Sequence, residues 1–275
     1  MKNENSGHGV LHRAFNLIRL MAEAPPEGMR VTHLSKLAGL TQGTVHRTLQ
    51  TLIDQQIVEQ DIKTKHYRLS IDFFSLAARA SHPSNFRDQC RPTLIRLSIS
   101  LGDTTFLLVR SGLDAICLDR SEGPLPIRSF TGDIGGRIAL GVGQGSLAIL
   151  SFLPEAEREE ILRINLPRLR ELNVFDEVYL RTAIDRVRTF GYAAQSNGLI
   201  EGMAGVAVPV FDCNGRSVAA LSVGTLAERL NEDRLPTVVE LLKKEAKLLS
   251  ENINPFDPTL RRPIQNFAAV RPGSV

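Results

Sequence analysis

The stretch 31–56, VTHLSKLAGLTQGTVHRTLQTLIDQQ, decides the fold. Val31, Leu34, Leu37 and Ala38 recur at helical spacing, and Thr32 stands where an N-cap belongs. Gly39 follows at the point where a helix ends in a left-handed residue. Leu40 fills the turn, and Thr41 caps a second helix that buries Val45, Leu49, Leu52 and Ile53 on one stripe. Its other face carries Gln42, Thr44, His46, Arg47, Thr48 and Gln50, donor-rich side chains suited to a major groove. Gly43 leaves room for close approach to DNA, and Arg47 can reach a phosphate or a guanine edge. The pattern predicts a helix-turn-helix whose second helix enters the groove. Taken alone, two short amphipathic helices and a glycine turn also suit an ordinary all-α domain.

The continuation favours the first reading. Residues 57–60, the polar tip 61–65 and residues 66–69 predict a short β-hairpin, the wing of a winged helix. Lys63, Lys65 and Arg68 would add phosphate contacts beside the second helix. The segment TVHRTLQTLIDQQIVEQDIKTKHYRLS resembles the winged-helix region of the IclR family of bacterial transcriptional regulators, through Thr44, Val45, His46, Arg47, Leu49, Leu52, Tyr67 and Leu69. Where that family often has glycine before the wing, this chain has Gln56.

Working outward, residues 1–8 are polar and expected to be disordered, and Val10–Ala24 has an apolar face of Val10, Ala14, Leu17, Ile18 and Met21. That predicts a helix packed behind the helix-turn-helix and stopped by Pro25-Pro26. In the resembling family this helix also contributes dimer contacts. After the wing, Ser70–Arg79 predicts a linker helix capped by Ser70 or Asp72. Phe73, Phe74, Leu76 and Ala77 make it more apolar than a free linker, so it packs on its own domain or on the same helix of a second subunit. Ser81-His82-Pro83-Ser84 breaks the chain there. The expected organisation is a winged helix-turn-helix domain over 9–69, a linker helix over 70–82, a second domain over 83–253 and a proline-rich, basic, disordered tail over 254–275.

Charge agrees with this division. The 275-residue chain carries a net charge of +3, and residues 1–82 hold ten Lys and Arg against seven Asp and Glu, an excess of three. All six histidines also lie there. This is a modest DNA-binding footprint, which a solvated surface could also show. Cys90, Cys117 and Cys213 have no CxxC spacing and no neighbouring His, which argues against a zinc site or disulfide framework and for reduced thiols. No apolar run is long enough to span a bilayer, and the N-terminus lacks a signal core, so a cytoplasmic protein is expected.

In the second domain, Phe86–Leu101 predicts a helix kinked or restarted at Pro92. Residues 104–110 and 115–120 predict a hairpin turning at Ser111-Gly112, with a third strand at Ile127–Phe130. Helices follow over 143–153, from Pro154 onward, and over 176–190. A final hairpin spans 204–211 and 217–225 across Asn214-Gly215, and a helix closes the domain over 232–253. Alternation of this kind predicts an α+β domain on a mainly antiparallel sheet. The order resembles the GAF-like effector domain of the same family, with Gly141, Gly143, Gly191, Tyr192, Pro209 and Asp212 in matching places. The chain departs from the family at Gln144, where lysine is usual, at Gln195 and Gly198, where acids are common, and at Gly205, where cysteine is frequent.

Catalytic chemistry finds little support. Gly141-Val142-Gly143-Gln144-Gly145-Ser146 lacks the third glycine of a dinucleotide fingerprint, and no P-loop or Gly-x-Ser-x-Gly occurs. Every His precedes the second domain, which excludes a Ser-His-Asp set confined to it. No catalytic residue, metal or cofactor is expected. A helix starting at Gly143 would instead offer free amides to a small anion, with glycines leaving space beside the backbone, although a simple tight turn fits too. The expected effector pocket takes Gly135, Arg137, Ile138, Gly141, Val142, Gly143 and Ser222, the last on a family position lining the pocket. The resemblance thus implies a regulator that binds double-stranded operator DNA as a homodimer or dimer of dimers and responds to a small-molecule effector. The alternative is an enzyme with a GAF-like domain and an accessory DNA-binding module.

Overall fold

The computed structural model describes residues 5–80, 86–124, 127, 133–171, 176–196 and 200–253. Its contacts divide the chain into two compact units, Met1–Pro83 and Ser84–Val275. Of the expected strand at 127–130 only Ile127 lies within the described residues, and the tail 254–275 lies outside them.

The first unit contains α1 (Asn5–Ala22), α2 (Val31–Ala38), α3 (Gln42–Asp54), β1 (Val58–Gln60), β2 (Tyr67–Leu69) and α4 (Ile71–Ala80). The first helix begins at Asn5, so part of the polar stretch expected to be disordered is helical. One core joins these elements: Leu17 and Met21 of α1, Leu34 of α2, Val45, Leu49 and Leu52 of α3, and Val58 and Tyr67 of the wing. The turn after α1 docks on the wing, with Met29 N donating to Tyr67 O at 3.0 Å and Tyr67 N to Met29 O at 2.7 Å. Gly28 allows this approach, because a Cβ there would lie 2.5 Å from the Tyr67 carbonyl oxygen.

Local sequence sets the helix ends. Contrary to expectation, Thr32 does not cap α2. The helix starts two residues earlier than that cap would place it, at Val31, and extended Arg30 holds the N-cap position without a side-chain bond. Gly39, at φ 64°, closes α2 as expected. Thr41 caps α3, its hydroxyl accepting from Thr44 N at 3.3 Å. At the far end of α3, Ile57 N donates to Leu52 O and Gln56 N to Ile53 O, the bonding of a Schellman turn. That turn needs a left-handed residue, and Gln56 supplies it at φ 59°.

The second unit contains α5 (Phe86–Leu101), β3 (Thr104–Ser111), β4 (Asp114–Ser121), β5 (Arg137–Ala139), α6 (Gly143–Ser151), α7 (Glu155–Glu171), α8 (Glu177–Phe190), β6 (Ala193–Ser196), β7 (Met203–Phe211), β8 (Ser217–Leu226) and α9 (Arg234–Asn252). Its six strands form one antiparallel sheet in the order β5-β4-β3-β8-β7-β6. Alternation along the strands gives it two apolar faces. Leu107, Val109, Val206, Val208, Leu221 and Val223 pack on α5 and α9. Phe106, Leu108, Ala115, Cys117, Ala207 and Ala220 pack on the side of α6, α7 and α8. Helix α5 runs through Pro92 as one element rather than restarting there. The short edge strands β5 and β6 were not expected from the sequence.

Candidate nucleic-acid interface and small-molecule site

Burial on one side of α3 exposes the other. With Val45, Leu49 and Leu52 in the core, Thr41, Gln42, Gly43, His46, Arg47 and Gln50 are exposed, and Thr44 and Thr48 half-buried. The smaller side chains are engaged within the helix: Thr48 Oγ1 donates to Thr44 O at 3.0 Å, and Gln50 Nε2 to Asp54 Oδ1 at 3.3 Å. A Cβ at Gly43 would meet no atom within 4 Å, so packing does not demand glycine at this place.

The wing holds its tip by a local device. Asp61 Oδ1 accepts from Lys63 N at 2.8 Å and from Thr64 N at 2.7 Å. The backbone bond from Thr64 leads the causes that hold the Asp61 carboxyl below its ordinary pKa. Lys63 and Lys65 are exposed at this tip, Lys65 with φ 60°. Arg68 faces Glu59 across the two strands and forms an ion pair with it, so it is a less available cation than the lysines.

In the second unit the start of α6 lies over small residues of the sheet. Register sets Gly205 opposite Gly224, Ala207 opposite Ser222, Phe106 opposite Ser222 and Thr104 opposite Gly224. All six share the face turned toward α6, because Phe106 and Ala207 do. A Cβ at Gly205 would lie 3.1 Å from Gln144 Cγ, so the glutamine covers that glycine. Gln144 Nε2 in turn donates to Gln195 Oε1 on β6 at 3.0 Å. No side chain caps the N-terminus of α6.

The residues expected to line one pocket divide into separate places. Gly143 opens α6, and Ser222 lies on the floor just described. Gly141, at φ 108°, faces helices instead, where a Cβ would lie 3.3 Å from Leu180, and Val142 is buried in the same core. Gly135 N donates to Cys117 O at 2.8 Å, which fastens the turn before β5 to β4. Arg137 pairs with Asp114 at 3.0 Å, and Ile138 lies opposite Ala115. Edge strand β5 is three strand spacings from Ser222 and joins β4 at its opposite end, so these residues stand roughly 20 Å from Ser222. The strand 204–210, with Gly205 and Ala207, was expected to wall the pocket, whereas Thr104 and Gly224 were not among the expected pocket residues. The signal for Gly224 was the recurrence of small residues two apart on the last two long strands, and Thr104 had none.

Among the described residues, no helix is long and apolar enough to cross a membrane, and no group of three or more His, Cys, Asp or Glu side chains is placed to hold a metal ion.

Known proteins share this arrangement. The chain is 27% identical over 241 residues to the HTH-type transcriptional regulator XynR of Escherichia coli K12, covering 87% of this chain and 95% of that protein. It is 26% identical over 253 residues to the HTH-type transcriptional regulator BhcR of Paracoccus denitrificans, covering 92% and 90%. The fold matches an IclR homologue from Microbacterium hydrocarbonoxydans, solved with 4-hydroxybenzoate, with a TM-score of 0.72 at 24% identity, covering 88% of this chain and 98% of that one. Residues 10–61 match the IclR helix-turn-helix domain, and residues 78–251 match the bacterial transcriptional regulator IclR C-terminal domain. These two matches together span most of the chain, which belongs to the IclR family of bacterial transcriptional regulators.

Proposed function

We propose that the chain is a cytoplasmic, non-enzymatic regulator that binds double-stranded operator DNA through a winged helix-turn-helix over 9–69. Residues 70–82 serve as linker, and residues 83–253 hold a small effector, an organic acid or aromatic compound, that shifts the DNA-bound population. The observation that carries this reading is the outer face of α3. Exposed Gln42, His46 and Arg47 flank an exposed glycine that packing does not require. Thr41, Thr44, Thr48 and Gln50 complete that face, and Lys63, Lys65 and Arg68 meet phosphates from the wing. The 4-hydroxybenzoate bound by the Microbacterium homologue supports an aromatic acid as one effector class.

The chain acts as a homodimer or dimer of dimers. Ile71, Phe74 and Leu76 of α4 and Leu11 and Phe15 of α1 are exposed apolar side chains that a second copy would cover. Light scattering should show at least a dimer, and Phe74→Asp should shift it toward monomer. A wild-type monomer that still grips a palindromic site would remove this part of the reading.

A gel-shift experiment with DNA flanking the protein's own gene tests the whole. Binding should be saturable and competed by unlabelled flanking DNA, and small-molecule extracts of the source cells should change its midpoint. Equal affinity for flanking and scrambled DNA, or a midpoint indifferent to every extract, would overturn the corresponding half of the proposal.

A further inference from the structure

Two hydroxyls lie on the floor beneath α6, and that of Thr104 stands without a partner. Thr104 is 1% exposed, and its Oγ1 has no hydrogen-bond partner. Ser222, 9% exposed, is paired through its backbone to both neighbouring strands and turns its side chain to the same floor. They are diagonal neighbours, since Thr104 faces Gly224 and Ser222 faces Phe106 on the adjoining strand. Diagonal positions of this kind lie about 7–8 Å apart, close enough for one small group to bridge their side chains. Gly224 contributes no side chain to the place between them, which leaves room for Ile127 to enter. A Cβ at Gly224 would overlap Ile127 Cδ1 and lie 3.2 Å from Phe106 Cε2. An apolar methyl thus occupies the place that the two hydroxyls border, the reverse of what the unpaired Thr104 hydroxyl favours.

Charge at this place is already neutralised. Arg120 lies on the same face, opposite Phe106, and its guanidinium pairs with Glu122 and with Asp133 at 2.9 Å. Arg120 is therefore not a free partner for a carboxylate placed between the hydroxyls. A hydroxyl or carbonyl oxygen fits, because each protein hydroxyl can donate to it or accept from it.

We infer that the place above Gly224, between the Thr104 and Ser222 hydroxyls, is the subsite for an uncharged oxygen of the effector, with Thr104 as a specificity-determining residue. This rests on the reading of the second unit as the effector domain. An acidic end of the same molecule would lie toward the uncapped start of α6, and Ile127 gives way to the oxygen. The unpaired Thr104 hydroxyl then serves discrimination: a ligand lacking that oxygen leaves it buried and unsatisfied.

Calorimetry on the full chain tests this with acids that differ by one hydroxyl: benzoate against 3- and 4-hydroxybenzoate, and propionate against lactate. The wild type should bind at least one hydroxylated member about tenfold more tightly than its parent acid. Thr104→Val, which keeps the shape and removes the hydroxyl, should erase that difference, and Thr104→Ser should restore it. The ligand-free Thr104→Val protein should also melt no lower than wild type, because a buried unpaired hydroxyl is lost. A preference that survives Thr104→Val, or a wild type that binds no hydroxylated member better than its parent, overturns the subsite. Should Thr104→Val fail to fold, Ser222→Ala carries the same comparison. The effector reading itself stands or falls on the operator experiment with cell extracts, which assumes none of these probes.

Discussion

The Ser70 hydroxyl donates to the Gln56 carbonyl oxygen. It also accepts from Phe73 N at 3.1 Å, while Ser70 N donates to Ile57 O at 3.0 Å. One buried side chain therefore fixes the end of α3 to the beginning of α4 and caps the latter. Ser70→Ala would leave a carbonyl and an amide unpaired, and should cost about 1–2 kcal/mol in urea unfolding. Gln56→Gly should act in the opposite direction. It relieves a left-handed non-glycine residue and should stabilise by about 1 kcal/mol. If Gln56→Gly destabilises, the side chain contributes more than the turn costs it.

Gly43→Ala separates folding from recognition. Alanine is the better helix former and finds open space, so the protein should be more stable by about 0.5 kcal/mol. Operator affinity should nevertheless fall, because the added methyl meets the DNA. A variant that gains stability and binds the operator as tightly as wild type would place that end of α3 away from the groove.

Arg47 and the wing lysines should fail in different ways. Arg47→Ala should weaken specific binding by about 1–3 kcal/mol and relax preference at one position of the operator. Lys63→Ala and Lys65→Ala should each lower the salt slope by about one and leave sequence preference intact. Titrations at several salt concentrations decide the matter, and an unchanged slope would turn the wing tip away from phosphate.

Asp61 makes the wing acid-sensitive. Its carboxyl is held below the ordinary value, first by the backbone bond from Thr64. A carboxylate shifted down on folding contributes its full stabilisation above the unfolded pKa, and that contribution disappears as pH falls through the lowered folded pKa. The Lys63 and Thr64 amides should lose protection over that acidic range, as seen by NMR. Asp61→Asn should remove the titration. A wing whose amides are indifferent to pH down to global unfolding would contradict the turn described.

Local periodicity made the first unit legible. Val45, Leu49 and Leu52 report α3 through spacing alone, and Gly39 and Thr41 mark its boundary with α2. Thr32 misled because its composition suits a cap, whereas tertiary docking of the preceding turn on Tyr67 set the helix start at Val31. In the second unit the long strands showed themselves, but their neighbours did not. Nothing local places Thr104 beside Gly224 or separates Ile138 from Ser222, because strand order arises from pairing across most of the unit. Strands of three and four residues, β5 and β6, carry too little alternation to announce an edge. Arg137 resembled a ligand anchor in sequence, and its partner Asp114 belongs to another strand.

The central pairing of β3 with β8 also sets an order of events during synthesis. Asp103 and Thr225, which bond at 2.7 Å beside that pairing, lie 122 residues apart in the chain. The winged unit has all its strands and helices once Ala80 has been made, whereas the sheet of the second unit cannot close until β8 leaves the ribosome. Throughout that interval the β3–β4 hairpin presents an apolar, unpaired edge, the kind of surface that recruits strands from other nascent chains. Slower translation beyond Ser121 would lengthen this exposure, so yield of intact protein should depend on synthesis rate and on chaperone supply even where the finished molecule is stable.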